Sequence, residues 1–262
     1  MNAIYFTREI NNKQITKLNK KIKKHKQNID MIVVSKNLKN NQSFMENIMQ
    51  IDIPIVDGKW LFKFLVVQVL EYIIKSQNKK IRDISIAFIV DTYNDLILYY
   101  IKILIGKVKN FTIVTKNRGR YRNIEEELFN EEGEILLITN NRRKSLKNVD
   151  IIFNFDYNNE KINSFIINEQ AIIINLKEKI DIKTKRFNGI NINDYEINFK
   201  NRFIEMLEWI EQFKNRDIYE SYLYKRGNIK DIMYVINKDK VKIRNLIGNN
   251  GVISKKEYKN FY

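Results

Sequence analysis

Cysteine is absent from this chain of 262 residues, and histidine occurs once. The lack of cysteine excludes disulfides, thiolate zinc sites and cysteine nucleophiles. The single histidine, His25, lies in the lysine-rich run 20–26, which favours a solvated surface position over a catalytic role. Ser-His-Asp and zincin mechanisms are therefore excluded, and no metal site is expected. Any chemistry must depend on Asp, Glu, Lys, Tyr, Ser or Thr, or on a bound cofactor.

Extended apolar stretches are also missing. The two most hydrophobic helix candidates, 60–74 and 96–105, are interrupted by polar or charged residues. Both are shorter than the roughly 20 residues that cross a bilayer. The first residues lack the cationic segment, apolar core and cleavage site of a signal peptide. We therefore expect a cytoplasmic protein without a membrane partner.

Positive charge is abundant, with a formal net charge of +16. Clustered Lys and Arg bind nucleic acid by displacing counterions from phosphates, so a polyanion partner is one interpretation. The same chain is rich in Asn and Ile, as expected of an AT-rich genome in which lysine is a default surface residue. The total charge alone leaves both interpretations open.

Four short apolar runs, rich in β-branched residues, indicate strands within 84–90, 111–115, 134–139 and 149–155. The segments between them are each long enough for a crossover helix. Parallel strands need crossovers of about a dozen residues, so this alternation predicts a mostly parallel sheet. The run 171–175 extends it. The fold class is therefore α/β and Rossmann-like.

The rest of the chain divides around this region. Residues 1–76 read as a smaller N-terminal α/β lobe, 80–215 as the Rossmann-like domain and 217–262 as a short basic C-terminal segment. Within 225–259, ten Lys or Arg stand against three acids. The hydrophobic pattern predicts an amphipathic helix over 199–214.

Two motifs follow or flank the central strands. An Asn-Arg pair at Asn117 and Arg118, with Arg120 behind it, follows the second strand. A later strand is preceded by Leu-x-x-Val-Asp at 146–150 and ends at Asn154. Over about residues 80–215 this order resembles the NADP-binding domains of shikimate dehydrogenases and glutamyl-tRNA reductases.

The resemblance implies that Asn117, Arg118 and Arg120 hold the ribose phosphate of NADP, with Thr92 in the loop that faces the dinucleotide. That loop, 90–96, carries two aspartates and a tyrosine in place of glycines. Pyrophosphate binding needs bare main chain and free amides at a helix start. We therefore expect a degenerate nucleotide lobe without a cofactor, in which Asn94 or Asp95 caps the next helix. NADP binding is the alternative.

The C-terminal segment carries a second resemblance. Its 243–253 stretch looks like the Ile-Gly-x-x-Gly loop of KH domains, which lies between two helices. We expect a strand at 232–236 and a helix over 241–248 before that loop. The resemblance implies a nucleic-acid site that consists of the following residues: Arg244, Gly248, Asn249, Asn250 and Gly251. The alternative is an ordinary helical hairpin in which the glycines only end one helix and form a turn.

These observations favour a non-enzymatic protein that binds an anionic small molecule or a protein partner. The alternatives are an NADP-dependent oxidoreductase related to shikimate dehydrogenase or glutamyl-tRNA reductase, and an RNA- or DNA-binding protein. Whether the protein is an enzyme at all is left open by the sequence.

Overall fold

A computed structural model of the protein describes residues 3–25, 29–51, 53–184, 186–207, 209–224 and 226–259. The chain divides into two compact units. The smaller contains Met1–Leu61 and Glu196–Lys242, and the larger contains Phe62–Tyr195 and Ile243–Tyr262. The sequence predicts domain boundaries near residues 76–80 and 215–217. These boundaries stay a prediction, because a division into compact units does not test whether each segment folds on its own.

The described residues form the following strands: β1 (Ala3–Phe6), β2 (Met31–Val34), β3 (Ser85–Ile89), β4 (Asn110–Val114), β5 (Leu136–Thr139), β6 (Ile151–Asn154), β7 (Ile172–Asn175), β8 (Ile190–Ile192), β9 (Asp194–Asn198), β10 (Lys242–Gly248) and β11 (Gly251–Val252). They form the following α-helices: α1 (Asn12–His25), α2 (Lys36–Lys39), α3 (Gln42–Met49), α4 (Lys59–Phe64), α5 (Val66–Gln77), α6 (Asp95–Leu104), α7 (Arg122–Glu127), α8 (Asn159–Ile162), α9 (Arg202–Glu205), α10 (Asn215–Leu223), α11 (Ile229–Lys238) and α12 (Lys255–Lys259). None of these helices is both long and apolar enough to cross a membrane.

The larger unit is built on a six-stranded sheet in the order β5-β4-β3-β6-β7-β8. Every neighbouring pair in it is parallel. Counted from β3, this is the 3-2-1-4-5-6 order of the Rossmann fold. The α/β, Rossmann-like prediction is confirmed. Strands β3, β6 and β7 are buried along their whole length, which explains why they read as unbroken apolar runs.

Each face of this sheet has its own core. On one face Phe88 contacts Phe111 and Phe153, with ring centroids 4.9 and 5.5 Å apart. On the other face an aliphatic cluster covers the central strands, and Leu146, Val149 and other residues of the following loops complete it.

Two predictions for the C-terminal segment were wrong. Residues 232–236 lie in helix α11, and 241–248 form strand β10 rather than a helix. Strand β10 pairs with β11 in an antiparallel hairpin whose turn is at 249–250. Asn228 precedes helix α11, and its side chain accepts a hydrogen bond from the Asp231 amide and so caps the helix.

Two predicted helices are also missing or interrupted. Residues 142–145 and 147–148 form turns, and the Asn141 side chain supports the first turn by accepting the amides of Arg143 and Lys144. Where a helix over 199–214 was expected, the described residues form the short helix α9, which begins after the cap Asn201, and a 3₁₀ turn at Ile210–Gln212.

The smaller unit has β1 and β2 as a parallel pair. Pro54 lies beside this pair, where its carbonyl accepts the Ile32 amide. Its helix α3 is capped by Asn41, whose side chain accepts the Phe44 amide. A buried carboxylate, Glu220 on α10, accepts the Leu61 amide at 2.8 Å and is 4% exposed.

The pKa of Glu220 is raised from 4.5 to about 7, chiefly by burial and also by the nearby charges of Asp57 and Asp217, whereas the Leu61 and Gly58 amides oppose the shift. The folded protein therefore holds this proton more tightly than the unfolded chain. Its contribution to the free energy of unfolding falls as pH rises from 4.5 to about 7.

We predict that Glu220→Gln removes this fall in the free energy of unfolding with pH. The glutamine side chain keeps an acceptor for the Leu61 N–H and never ionises. At pH 8 the variant should be more stable than wild type by roughly 1–3 kcal/mol, since each pKa unit corresponds to about 1.4 kcal/mol. Urea unfolding between pH 5 and 8 measures this. The exposed Glu211 in the same unit supplies the control, and Glu211→Gln should keep the wild-type slope. An unchanged slope in Glu220→Gln would refute the assignment.

Candidate functional site

The candidate site lies at the carboxyl edge of the six-stranded sheet, where β3 and β6 are neighbours. In a 3-2-1-4-5-6 sheet the strand order reverses at this point, and ligands bind in the crevice that results. Three loops meet at this edge, and they follow β3, β6 and β4: residues 90–94, 155–158 and 115–117.

A carboxylate from one loop binds the main chain of another. Asp156 lies two residues after β6, and its Oδ2 accepts the amides of Asp91 at 2.9 Å and Thr92 at 2.8 Å. In a nucleotide-binding Rossmann fold, amides of the loop after the first strand face the pyrophosphate. Here the Asp156 carboxylate binds those amides instead.

The side chain of Asp91 fixes the same loop from the other side. Its Oδ1 accepts the Lys116 amide at 2.9 Å and the Tyr157 hydroxyl at 3.1 Å, and its Oδ2 is 3.7 Å from the Lys161 ammonium. The Asn117 side chain donates to the Asp91 carbonyl at 3.0 Å. The loops after β3, β4 and β6 are thus joined through one residue.

Two buried tyrosines complete this network. The Tyr121 hydroxyl donates to the Thr92 carbonyl at 3.0 Å. Burial raises the pKa of Tyr121, and the charge of Asp156 raises it further. Burial likewise raises the pKa of Tyr157, together with the charge of Asp91. Both tyrosines therefore stay neutral near pH 7 and act as hydrogen-bond donors.

The start of helix α6 is closed in the same way. The Asn94 side chain accepts the Ile97 amide at 3.1 Å, so the prediction that Asn94 or Asp95 caps this helix is confirmed for Asn94. Side chains of this loop and of its neighbour across the crevice thus bind amides at 91, 92 and 97.

Of the four residues that were predicted to bind NADP, two take part in the loop network and two lie in the turn that follows β4. Thr92 and Asn117 take part in the loop contacts described above. Arg118 and Arg120 lie in the exposed 3₁₀ turn Arg118–Tyr121, after the second strand in the Rossmann order. Their role in holding a cofactor stays a prediction.

Sequence reasoning missed Asp156 and Tyr157. Both residues follow shortly after the buried strand β6, at the edge of the sheet where Rossmann ligands bind, and this position could have identified them in the sequence. The motif residues around that strand have structural roles. Asp150 accepts the Ser85 amide at 2.8 Å, and Asn154 accepts the Tyr157 amide at 3.0 Å.

The residues predicted to bind nucleic acid were expected in a loop between two helices. The structure instead places the loop between two antiparallel strands. Gly248 and Gly251 pair with each other across the β10–β11 hairpin, with Asn249 and Asn250 in the turn. The Asn249 side chain accepts from Asn193 at 2.7 Å and donates to an Asp181 carboxylate oxygen at 3.1 Å.

Arg244 is exposed on β10. The hairpin geometry is not that of a KH loop, which lies between two helices. Nucleic-acid binding by Arg244, Gly248, Asn249, Asn250 and Gly251 stays a prediction. A salt titration of RNA binding would test it, because phosphate contacts weaken steeply with ionic strength. Across the described residues no group of three or more His, Asp or Glu side chains is arranged to hold a metal ion.

Comparisons with known proteins give only distant similarities. No family model matches the chain, and no match is found among curated proteins. An aspartate transcarbamoylase from Trypanosoma cruzi, solved with aspartate and phosphate, is 14% identical, with a TM-score of 0.34 over 68% of this chain and 71% of its own. An L-tryptophan dehydrogenase from Nostoc punctiforme is 9% identical, with a TM-score of 0.36 over 89% of this chain and 73% of its own. Similarities this distant carry no functional argument.

We predict that Asp156→Ala destabilises the larger unit by about 1–3 kcal/mol, because two amides lose their acceptor. Asp156→Asn should cost less, since its carbonyl oxygen still accepts a hydrogen bond. Urea unfolding measures the free energy, and amide exchange at Asp91 and Thr92 should speed up in the alanine variant.

The exposed Asp83 provides a matched control in the same unit. Asp83→Ala should leave both the stability and the exchange rates at 91 and 92 near wild type. Equal effects of the two alanine substitutions would show that the Asp156 contacts do not hold this loop.

Proposed function

We propose that the protein is a non-enzymatic binding protein that takes a small anionic molecule at the carboxyl edge of its Rossmann-like sheet, outside the pyrophosphate position. One observation carries this proposal: the Asp156 carboxylate accepts the two loop amides that a dinucleotide would need. A pyrophosphate would have to displace that carboxylate and then face the charge of Asp91 as well.

The cations around the same edge support an anionic ligand. Arg118 and Arg120 are exposed beside the end of β4, and Lys116 is exposed next to them. Arginine binds carboxylate and phosphate groups through its planar fork of donors. A ligand held by these three residues would lie beside the filled cradle and not inside it.

The protonation states in the crevice support binding rather than chemistry. The raised pKa values of Tyr121 and Tyr157 leave almost no phenolate near pH 7 that could accept a proton. The carboxylates of Asp91 and Asp156 already accept hydrogen bonds from neighbouring loops. We therefore propose that these two tyrosines and two aspartates hold the loops together and do not transfer protons.

A second function is favoured by the place of the arginines. Arg118 and Arg120 follow the second strand of a 3-2-1-4-5-6 sheet, where an arginine accommodates the 2′-phosphate of NADP. An NADP-dependent oxidoreductase related to shikimate dehydrogenase or glutamyl-tRNA reductase is therefore the alternative. It requires Asp156 to move away from the Asp91 and Thr92 amides when the cofactor binds.

Thermal shift separates the two functions. We predict that adenosine 2′,5′-bisphosphate and NADP raise the melting temperature equally, because the pyrophosphate and nicotinamide gain no contact in a filled cradle. Ligand at 100 times its Kd stabilises by about 2.7 kcal/mol, which shifts the melting temperature by several degrees. Inorganic phosphate, pyrophosphate and citrate complete the set of probes.

The double substitution of Arg118 and Arg120 by alanine should abolish the shifts, whereas Arg82→Ala, at an exposed arginine elsewhere in the unit, should preserve them. A much larger shift with NADP than with the bisphosphate would favour the oxidoreductase. No shift with any of the five probes would refute the anion site.

A further inference from the structure

Strand β5 forms an open edge of the six-stranded sheet. It is terminal in the strand order and pairs with β4 alone within the described part of the chain. The Thr139 carbonyl accepts the Thr115 amide, so Thr139 and, two residues earlier, Leu137 direct their main-chain groups toward β4. In a parallel strand the alternate residues face the other way, so the amides and carbonyls of Leu136 and Ile138 point to the open edge.

The same edge exposes apolar side chains. Leu137 is 55% exposed and Ile135 is 75% exposed, although both belong to or adjoin a strand of the central sheet. They line a groove of about 740 Å³ over β4 and β5. This part of the sheet is uncovered because residues 142–145 and 147–148 form turns where a crossover helix was expected. An exposed apolar edge strand invites pairing with another strand.

The charges that flank β5 indicate which strand pairs there. Acidic residues precede the strand: Glu131, Glu132 and Glu134. Basic residues follow it: Arg142, Arg143 and Lys144. If a second copy of β5 pairs in the antiparallel direction, the acidic flank of each copy faces the basic flank of the other. Parallel pairing would instead place like charges together, which is unfavourable.

We propose that the protein forms a two-fold symmetric homodimer through antiparallel pairing of β5 with β5 of a second copy. Within β5 the outward main-chain groups belong to Leu136 and Ile138, and we propose the register in which both residues are paired. Leu136 of one copy exchanges hydrogen bonds with Ile138 of the other. Leu137 then lies opposite its own counterpart at the two-fold axis, in a non-hydrogen-bonded pair whose Cα atoms are about 4.5 Å apart.

Because the chain contains no cysteine, one introduced cysteine reports this register directly. Leu137→Cys should form a disulfide-linked dimer under mild oxidation, since facing residues of a non-hydrogen-bonded pair approach the Cα separation of about 4.4–6.8 Å that a disulfide needs. Ile166→Cys is the matched control, because Ile166 is 52% exposed in the same unit but lies outside β5. It should cross-link at least ten times more slowly.

Sedimentation tests the dimer without a cross-link. The mass of the wild type measured by sedimentation should be twice that of one chain. Leu137→Lys should be a monomer, whereas Ile166→Lys should stay dimeric. Circular dichroism checks that both variants fold. Arg143→Glu should weaken the dimer at low salt, and adding Glu131→Lys to that variant should restore it, because residues 131 and 143 face each other in this register.

A monomeric wild type at 100 µM, or equal cross-linking of the two cysteine variants, would overturn the proposal. A dimer that Leu137→Lys leaves intact would overturn it as well, since the contact would then lie elsewhere. These results are independent of the anion site, because none of the substituted residues is one that we place in that site.

Discussion

The hydrogen bonds from the Asp91 and Thr92 amides to the Asp156 carboxylate are the contact on which the structure of this sheet edge, and our proposal for it, depends. The strand order makes them possible, because β3 and β6 are neighbours at the reversal of the sheet and their loops emerge side by side. An aspartate two residues after β6 therefore reaches the loop after β3. The protein supplies internally the negative charge that a cofactor brings in related folds.

The surrounding contacts explain why this loop needs no glycine. A glycine-rich turn serves to bring bare main chain close to a phosphate. Here the Asp91 side chain is itself a structural ligand, which joins the Tyr157 hydroxyl and the Lys116 amide. Cations next to the loop, such as Arg118 and Arg120, are left facing outward. The anion site that we propose would therefore lie beside these amides and not on them.

The sequence predicted the central sheet because its strands are buried on both faces, and β-branched runs such as 84–90 leave little ambiguity. It failed where short apolar runs fit either period. Residues 232–236 are helical and 241–248 are extended, and the Asn228 cap was the signal that could have distinguished them. The resemblance to NADP-binding domains pointed to the carboxyl edge of the sheet, where the candidate site lies. It could not reveal Asp156, since a carboxylate that binds loop amides across a crevice depends on which strands are neighbours.

A crystal structure of the protein soaked with NADP would show whether Asp156 leaves the loop amides. We expect Asp156 to stay within hydrogen-bond distance of the Asp91 and Thr92 amides, with no pyrophosphate density there. Any bound part of the ligand should lie against Arg118 and Arg120. Pyrophosphate oxygens on those two amides, with Asp156 turned away, would contradict this expectation.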